Sequence, residues 1–221
     1  MFSKNNIYLG LLLLITAIVA LIIAIFWHQP PKHKQVIPAI KPAYTIHIDG
    51  IGEPIASVIK THPSLFELES NDNKYQFYII QKKTFLLRYG RTKKSSVMFP
   101  PAIFMQLSAT NNQIDDAVFD LAEPDASEQT TKLKLLNIHK NLITAGWSSI
   151  IPHSKYEAVV NYSFALVEQA HMSTSMKINT YQHNDVCLTT TAYSQYTSQR
   201  AKPTFSIEIN IEKSLKGKCD T

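Results

Sequence analysis

The stretch Phe205–Glu212, FSIEINIE, alternates without a break: Phe205, Ile207, Ile209 and Ile211 against Ser206, Glu208, Asn210 and Glu212. Successive side chains of an extended chain point to opposite faces. The stretch therefore predicts a strand with one face in a core and the other in water. Working back from it, Val186–Tyr196 reads as a second strand and Met172–Tyr181 as a third, rich in Ser and Thr. His183-Asn184-Asp185 supplies the turn between those two. Three consecutive strands joined this way predict an antiparallel meander.

Upstream the period changes from 2 to 3.6. Leu135, Ile138 and Leu142 lie on one helical face, with Leu136 and Ile143 beside it. Asp125 and Glu128 stand at capping-box spacing after Pro124, and Gly146 sits where a left-handed stop is needed, with Trp147 free to fold back. The pattern predicts a helix over 126–145. Ser154 and Glu157 repeat the cap spacing, and Tyr156, Val160, Phe164, Val167 and His171 recur at helical period. Residues 155–170 read as a helix, with a strand pair as the competing reading because of their Val, Tyr and Phe content.

The signals before residue 125 are shorter. Tyr44–Asp49 alternates as a strand ending in the turn pair Asp49-Gly50, and Ile55–Lys60 has room for one or two helical turns before Pro63. Tyr75–Tyr89 is rich in aromatic and β-branched residues, with Gln81-Lys82-Lys83-Thr84 as a possible hairpin tip. Pro100-Pro101 breaks the chain, and Val118–Leu121 is a further strand. The fold class expected is α+β, one domain over 44–221, its antiparallel sheet packed against about two helices.

The N-terminus has a different character. Ile7–Trp27 is a run of 21 residues without a charge. As a helix it would span ~31 Å, close to the ~30 Å hydrocarbon core of a bilayer. A secretory signal has a shorter apolar region and a small-residue cleavage site, whereas this run ends in Ile25-Phe26-Trp27. It reads as an uncleaved signal-anchor after a cytoplasmic tail of residues 1–6. Residues 28–43, with Pro30, Pro31, Pro38 and Pro42, read as a stiff basic linker. Flanking charges do not set the orientation, because Lys4 lies on one side and Lys32, Lys34 and Lys41 on the other. The placement of the domain outside a bacterial inner membrane rests on the cysteines and on the shortness of the tail. In a eukaryotic cell the same layout would be a type II membrane protein, with Asn161-Tyr162-Ser163 as a glycan acceptor.

Cys187 and Cys219 are the two cysteines. If the last two strands turn near residue 200, Cys187 faces about position 214. Cys219 then lies just beyond, on a tail that can fold back. A disulfide between them fits an oxidising compartment. It would close a loop of about 32 residues, worth about 3–4 kcal/mol.

Of the charged side chains, only Lys4 falls within residues 1–27, so the remainder keeps almost all of the net +5. That excess is too mild for nucleic-acid binding. A basic segment from Lys74 to Lys94 precedes an acidic one from Asp115 to Glu128. No nucleophile elbow, phosphate-binding loop or zinc-protease motif is present, and the sequence points to no cofactor and no catalytic residue. The weaker signals are two His-x-Asp pairs, His47/Asp49 and His183/Asp185, which a metal or acid–base chemistry could use, and Arg88 and Arg91, which flank Gly90 and could grip an anion. His62 and His139 read as surface residues. Tyr181, Tyr193 and Tyr196 lie in the Ser/Thr-rich meander and, with Arg88 and Arg91, are the candidate interaction residues, because Tyr buries area at little entropy cost.

The expectation is a non-catalytic interaction module, anchored in the membrane by residues 7–27, whose partners are envelope proteins. The layout of one span, a spacer and an α+β domain resembles the single-span periplasmic scaffold components of bacterial secretion machines, in architecture only. The alternatives are a periplasmic protective protein that blocks a toxin or hydrolase, and a metal-dependent enzyme or sensor using a His-x-Asp pair.

Overall fold

The computed structural model describes residues 42–71, 75–92, 95–121, 126–170, 173–196, 202–214 and 217–219, all within the unit Ile40–Thr221. The expected tail, the apolar run 7–27 and most of the linker lie outside them. Among the described residues no helix is long and apolar enough to cross a membrane.

The strands are β1 (Tyr44–Ile48), β2 (Glu67–Asn71), β3 (Tyr75–Tyr89), β4 (Val97–Met98), β5 (Ala102–Thr110), β6 (Gln113–Leu121), β7 (Ser148–Ser149), β8 (Thr174–His183), β9 (Val186–Gln195) and β10 (Thr204–Lys213). The helices are α1 (Ile55–Ile59), α2 (Glu128–Thr144) and α3 (His153–Ala170), with a single 3₁₀ turn at Pro63–Leu65. The fold is α+β, as the periodicity predicts. The strands form one sheet in the order β1-β3-β5-β6-β10-β9-β8-β7, with β2 and β4 also pairing with β3.

The expected meander is present. β10 pairs antiparallel with β9, and β9 with β8. Asn184 takes a left-handed φ of 55° in the tight turn between β8 and β9. The sheet as a whole is mixed rather than antiparallel, because β1 runs parallel to β3. A parallel pair needs a crossover, and the chain between β1 and β3, which carries α1 and β2, provides it.

The core lies on one face of the sheet. Ile80, Met105, Phe119, Ile209 and Thr190 are direct cross-strand neighbours from β3 to β9, and each is buried. Leu135, Ile138 and Leu142 of α2, with Tyr156, Val160, Phe164 and Val167 of α3, join the same core. Phe164 meets Phe205 of β10 at 4.9 Å between ring centres.

Three local expectations are corrected. Residues 81–84 are not a hairpin tip: β3 runs straight through, and its register against β5 shifts between Gln81 and Phe85. Ile80 and Phe85 both face the core although they stand five positions apart, which regular alternation would put on opposite faces, so alternation must slip there, and a bulge does that. The cap of α2 is Ser127, whose Oγ accepts from Thr130 N at 3.3 Å, while Glu128 begins the helix and pairs with Lys132; Asp125 lies outside the described residues. Ser154 is no cap either, because α3 already begins at His153, just after Pro152. The choice between helix and strands for 155–170 falls to helix.

The C-terminal stop of α2 forms as expected. Gly146 has φ +90°, its N–H donates to Ile143 O, and Trp147 N–H donates to Leu142 O. This reversal buries the Trp147 indole. Cys187 and Cys219 form a disulfide with Cα atoms 5.5 Å apart. Cys187 stands opposite Glu212, and the tail returns so that Ser214 N–H donates to Asp185 O and Gln182 Nε2 donates to Gly217 O.

Candidate functional site

β1 and β3 lie toward one end of the strand order and β8 and β7 at the other, yet Tyr89 of β3 and Trp147, just before β7, hold their rings 5.9 Å apart. The sheet therefore curls until its ends meet. At that meeting is a cleft of about 310 Å³, lined among others by Asp49, Arg91, Tyr89, Trp147, His183 and Asp185. A volume of that size is at the small end of ligand pockets, which run from about 300 to 1,000 Å³.

Each wall has a local cause. Asp49 opens the turn after β1, where its N–H donates to Glu53 Oε1 at 2.7 Å. Glu53 Oε2 accepts from Ser57 Oγ, and burial raises the Glu53 carboxyl above its ordinary range. The turn is tied to the β5–β6 hairpin by Gly52 N–H to Ile114 O and by Ile114 N–H to Glu53 O. Beside it, β3 ends at Gly90, whose φ is +113°. A Cβ there would stand 2.8 Å from Ser95 O, so only glycine lets Ser95 pack this closely against the end of β3, from which Arg91 follows. Across the cleft, the β8–β9 turn presents Asp185, held by the Ser214 bond to its carbonyl.

The two histidines of the His-x-Asp pairs are fixed by carbonyls. A carbonyl only accepts, so the ring nitrogen facing it carries the proton. His47 Nε2 donates to Gly90 O at 3.0 Å and stands 3.3 Å from Asp49 Oδ1, tying the end of β1 to the end of β3. His183 Nδ1 donates to Gly146 O at 3.2 Å, and its ring lies 5.4 Å from that of Trp147. The Tyr89 hydroxyl accepts from Ile51 N at 3.2 Å. Burial first, then the charges of Asp185 and Glu53, push its pKa up to about 12, so it stays a neutral phenol and keeps its own proton to donate.

Ser95 Oγ shares its hydrogen bond with Thr92 Oγ1, not with a histidine base. Among the described residues no three His, Cys, Asp or Glu side chains converge as metal ligands. Arg91 and the two acids carry opposite charges, and no ion pair joins them.

The structure thus brings Asp49, Arg91, His183 and Asp185 to one place, and separates the remaining candidates. Arg88 is half-buried, with Nε donating to Ser96 Oγ. Tyr193 donates to Glu208 Oε1 at 3.0 Å, and Tyr196 OH donates to Val167 O. Beside Tyr193, Asp120 directly opposes Glu208, and burial followed by that charge pushes Asp120 up to about 6. Tyr181 is fully buried and leaves the candidate surface. Its hydroxyl meets His139 Nδ1 at 3.0 Å.

His139 is not a surface residue, as its place on the helix flank predicts, but is 2% exposed. Its ring stacks on Tyr156 at 3.8 Å, and its Nε2 lies 2.9 Å from Nδ1 of the exposed His153. The polar atoms of Tyr181 and His153 make that burial tolerable. His62 is half-buried, with Nε2 3.1 Å from Thr45 O. Tyr89 and Trp147, the floor of the cleft, carry no site signal in the sequence, because they become neighbours only when the sheet curls.

No family model, no curated protein and no solved structure matches the chain.

Proposed function

We propose that the chain is a non-catalytic interaction module, held by the run Ile7–Trp27 on the outer side of a bacterial inner membrane, which takes its ligand in the cleft between the two ends of the sheet. The observation that carries this reading is the convergence of Asp49, Arg91, His183 and Asp185 over the Tyr89–Trp147 floor. Preformed polar groups over an aromatic floor orient a ligand. The disulfide supports the exported location, since such bonds persist in oxidising compartments. The cell-envelope assembly to which the module belongs would meet the domain on that side of the membrane.

The test is native mass spectrometry of the full-length chain, extracted from its own membranes in mild detergent. The reading expects a bound species on the wild-type chain that is lost from the Arg91→Gln/Asp185→Asn double variant. Bare chain in every detergent and salt condition would contradict it.

A further inference from the structure

The charges of the cleft name a ligand class, an inference that rests on the cleft being the binding site. Arg91 projects from the loop after β3. Asp49 projects from the turn after β1, and Asp185 from the β8–β9 turn. Charges of both signs that share a cleft would ordinarily be expected to neutralise one another. Here neither acid pairs with Arg91: Asp49 is instead held by His47, and Asp185 enters no ion pair among the described residues. The backbone keeps these charges apart. Gly90 fixes the loop that carries Arg91, and the Ser214 bond to Asp185 O fixes the turn opposite.

Charges of opposite sign that do not pair with each other across a small preformed cleft are complementary to a ligand that carries both. A guanidinium takes a carboxylate through two parallel hydrogen bonds. Two carboxylates above aromatic rings take an ammonium group, to which ring faces are also attractive. His183, with its proton committed to Gly146 O, offers Nε2 as a further acceptor for an ammonium hydrogen.

We propose that the cleft binds a zwitterionic α-amino acid. Its carboxylate lies on Arg91, its ammonium group between Asp49 and Asp185, and its side chain over Tyr89 and Trp147. The volume of about 310 Å³ admits a single residue and excludes a folded segment.

Titration calorimetry on the full-length chain in detergent, with the twenty L-α-amino acids as probes, tests this. For the best binder, the amide removes the carboxylate charge and the deaminated acid removes the ammonium. The proposal expects saturable one-to-one binding of at least one amino acid, weakened tenfold or more in both derivatives. Arg91→Gln should abolish discrimination against the amide, and Asp185→Asn discrimination against the deaminated acid. Arg91 is exposed and Asp185 lies in an exposed turn, so both variants fold.

An amide that binds as well as its amino acid would overturn the proposal in favour of a purely cationic ligand. Failure of all twenty amino acids would overturn it too. If native mass spectrometry still finds a bound species that the double variant loses, the binding reading survives that failure. If it finds none, both fall.

Discussion

At the scale of single residues, two positions carry more than their neighbours. Gly90 combines a left-handed backbone with a Cβ position 2.8 Å from a carbonyl oxygen. Both penalties fall on Gly90→Ala, for a loss of about 1–3 kcal/mol. Urea unfolding of the variant should show its midpoint lowered without a change of slope. The other position is His139. Burial and the neighbouring His153 lower its pKa to about 4 from the ordinary 6.5. Between those values the unfolded chain takes up a proton that the folded chain refuses. The contribution of neutral His139 is therefore complete above pH 6.5 and is lost as the pH falls toward 4. Asp120 acts in the opposite sense, since its folded pKa of about 6 lies above the ordinary 3.8 and acid favours the folded state there. The His139 share is isolated by comparison with His139→Gln, which keeps a polar group for Tyr181. Stability of the wild-type chain should fall more steeply than that of the variant from pH 6.5 to 4.5. Parallel curves would remove His139 from the account.

Elements show what the chain reveals locally and what it withholds. β10 is legible because both its faces are declared, and α2 because its stripe and its Gly146 stop agree with each other. The β5–β6 hairpin also left a local mark, since Asn111 and Asn112 both adopt positive φ, as two-residue hairpin turns demand. β3 misled because its bulge mimics a turn: only the partner strand shows that the chain continues. The parallel pairing of β1 with β3 has no local signature at all. His139 was misplaced for a similar reason, since one polar residue on a helix flank looks exposed until Tyr181 and His153 arrive from elsewhere. The best-supported link between distant elements is the disulfide. Chain-entropy arithmetic for its loop of about 32 residues predicts a loss of about 3–4 kcal/mol in Cys187→Ser/Cys219→Ser. A thermal unfolding midpoint unchanged by that substitution, or by reduction of the wild-type chain, would show that the tail is held by its hydrogen bonds alone.

For the molecule as a whole, the cleft follows from curvature. A flat sheet would keep Asp49 and Arg91 far from His183 and Asp185, because β1 and β8 stand near opposite ends of the strand order. Curling around the core helices brings these ends together and makes a cleft from turns that are remote in sequence. The weak sequence signals then acquire a common meaning. Two His-x-Asp pairs, read separately, point to metal chemistry. Assembled, they divide into two histidines that brace the backbone and two acids that line the cleft, Asp49 beside Arg91 and Asp185 across from it. The most direct test of this account is photocrosslinking in native membranes, with a diazirine amino acid placed at Ser95 on the cleft or at Leu133, 55% exposed on α2. The account predicts a discrete mass adduct from position 95 that disappears with Asp185→Asn, and none from position 133. Equal adducts from both positions, or none from the cleft, would contradict it.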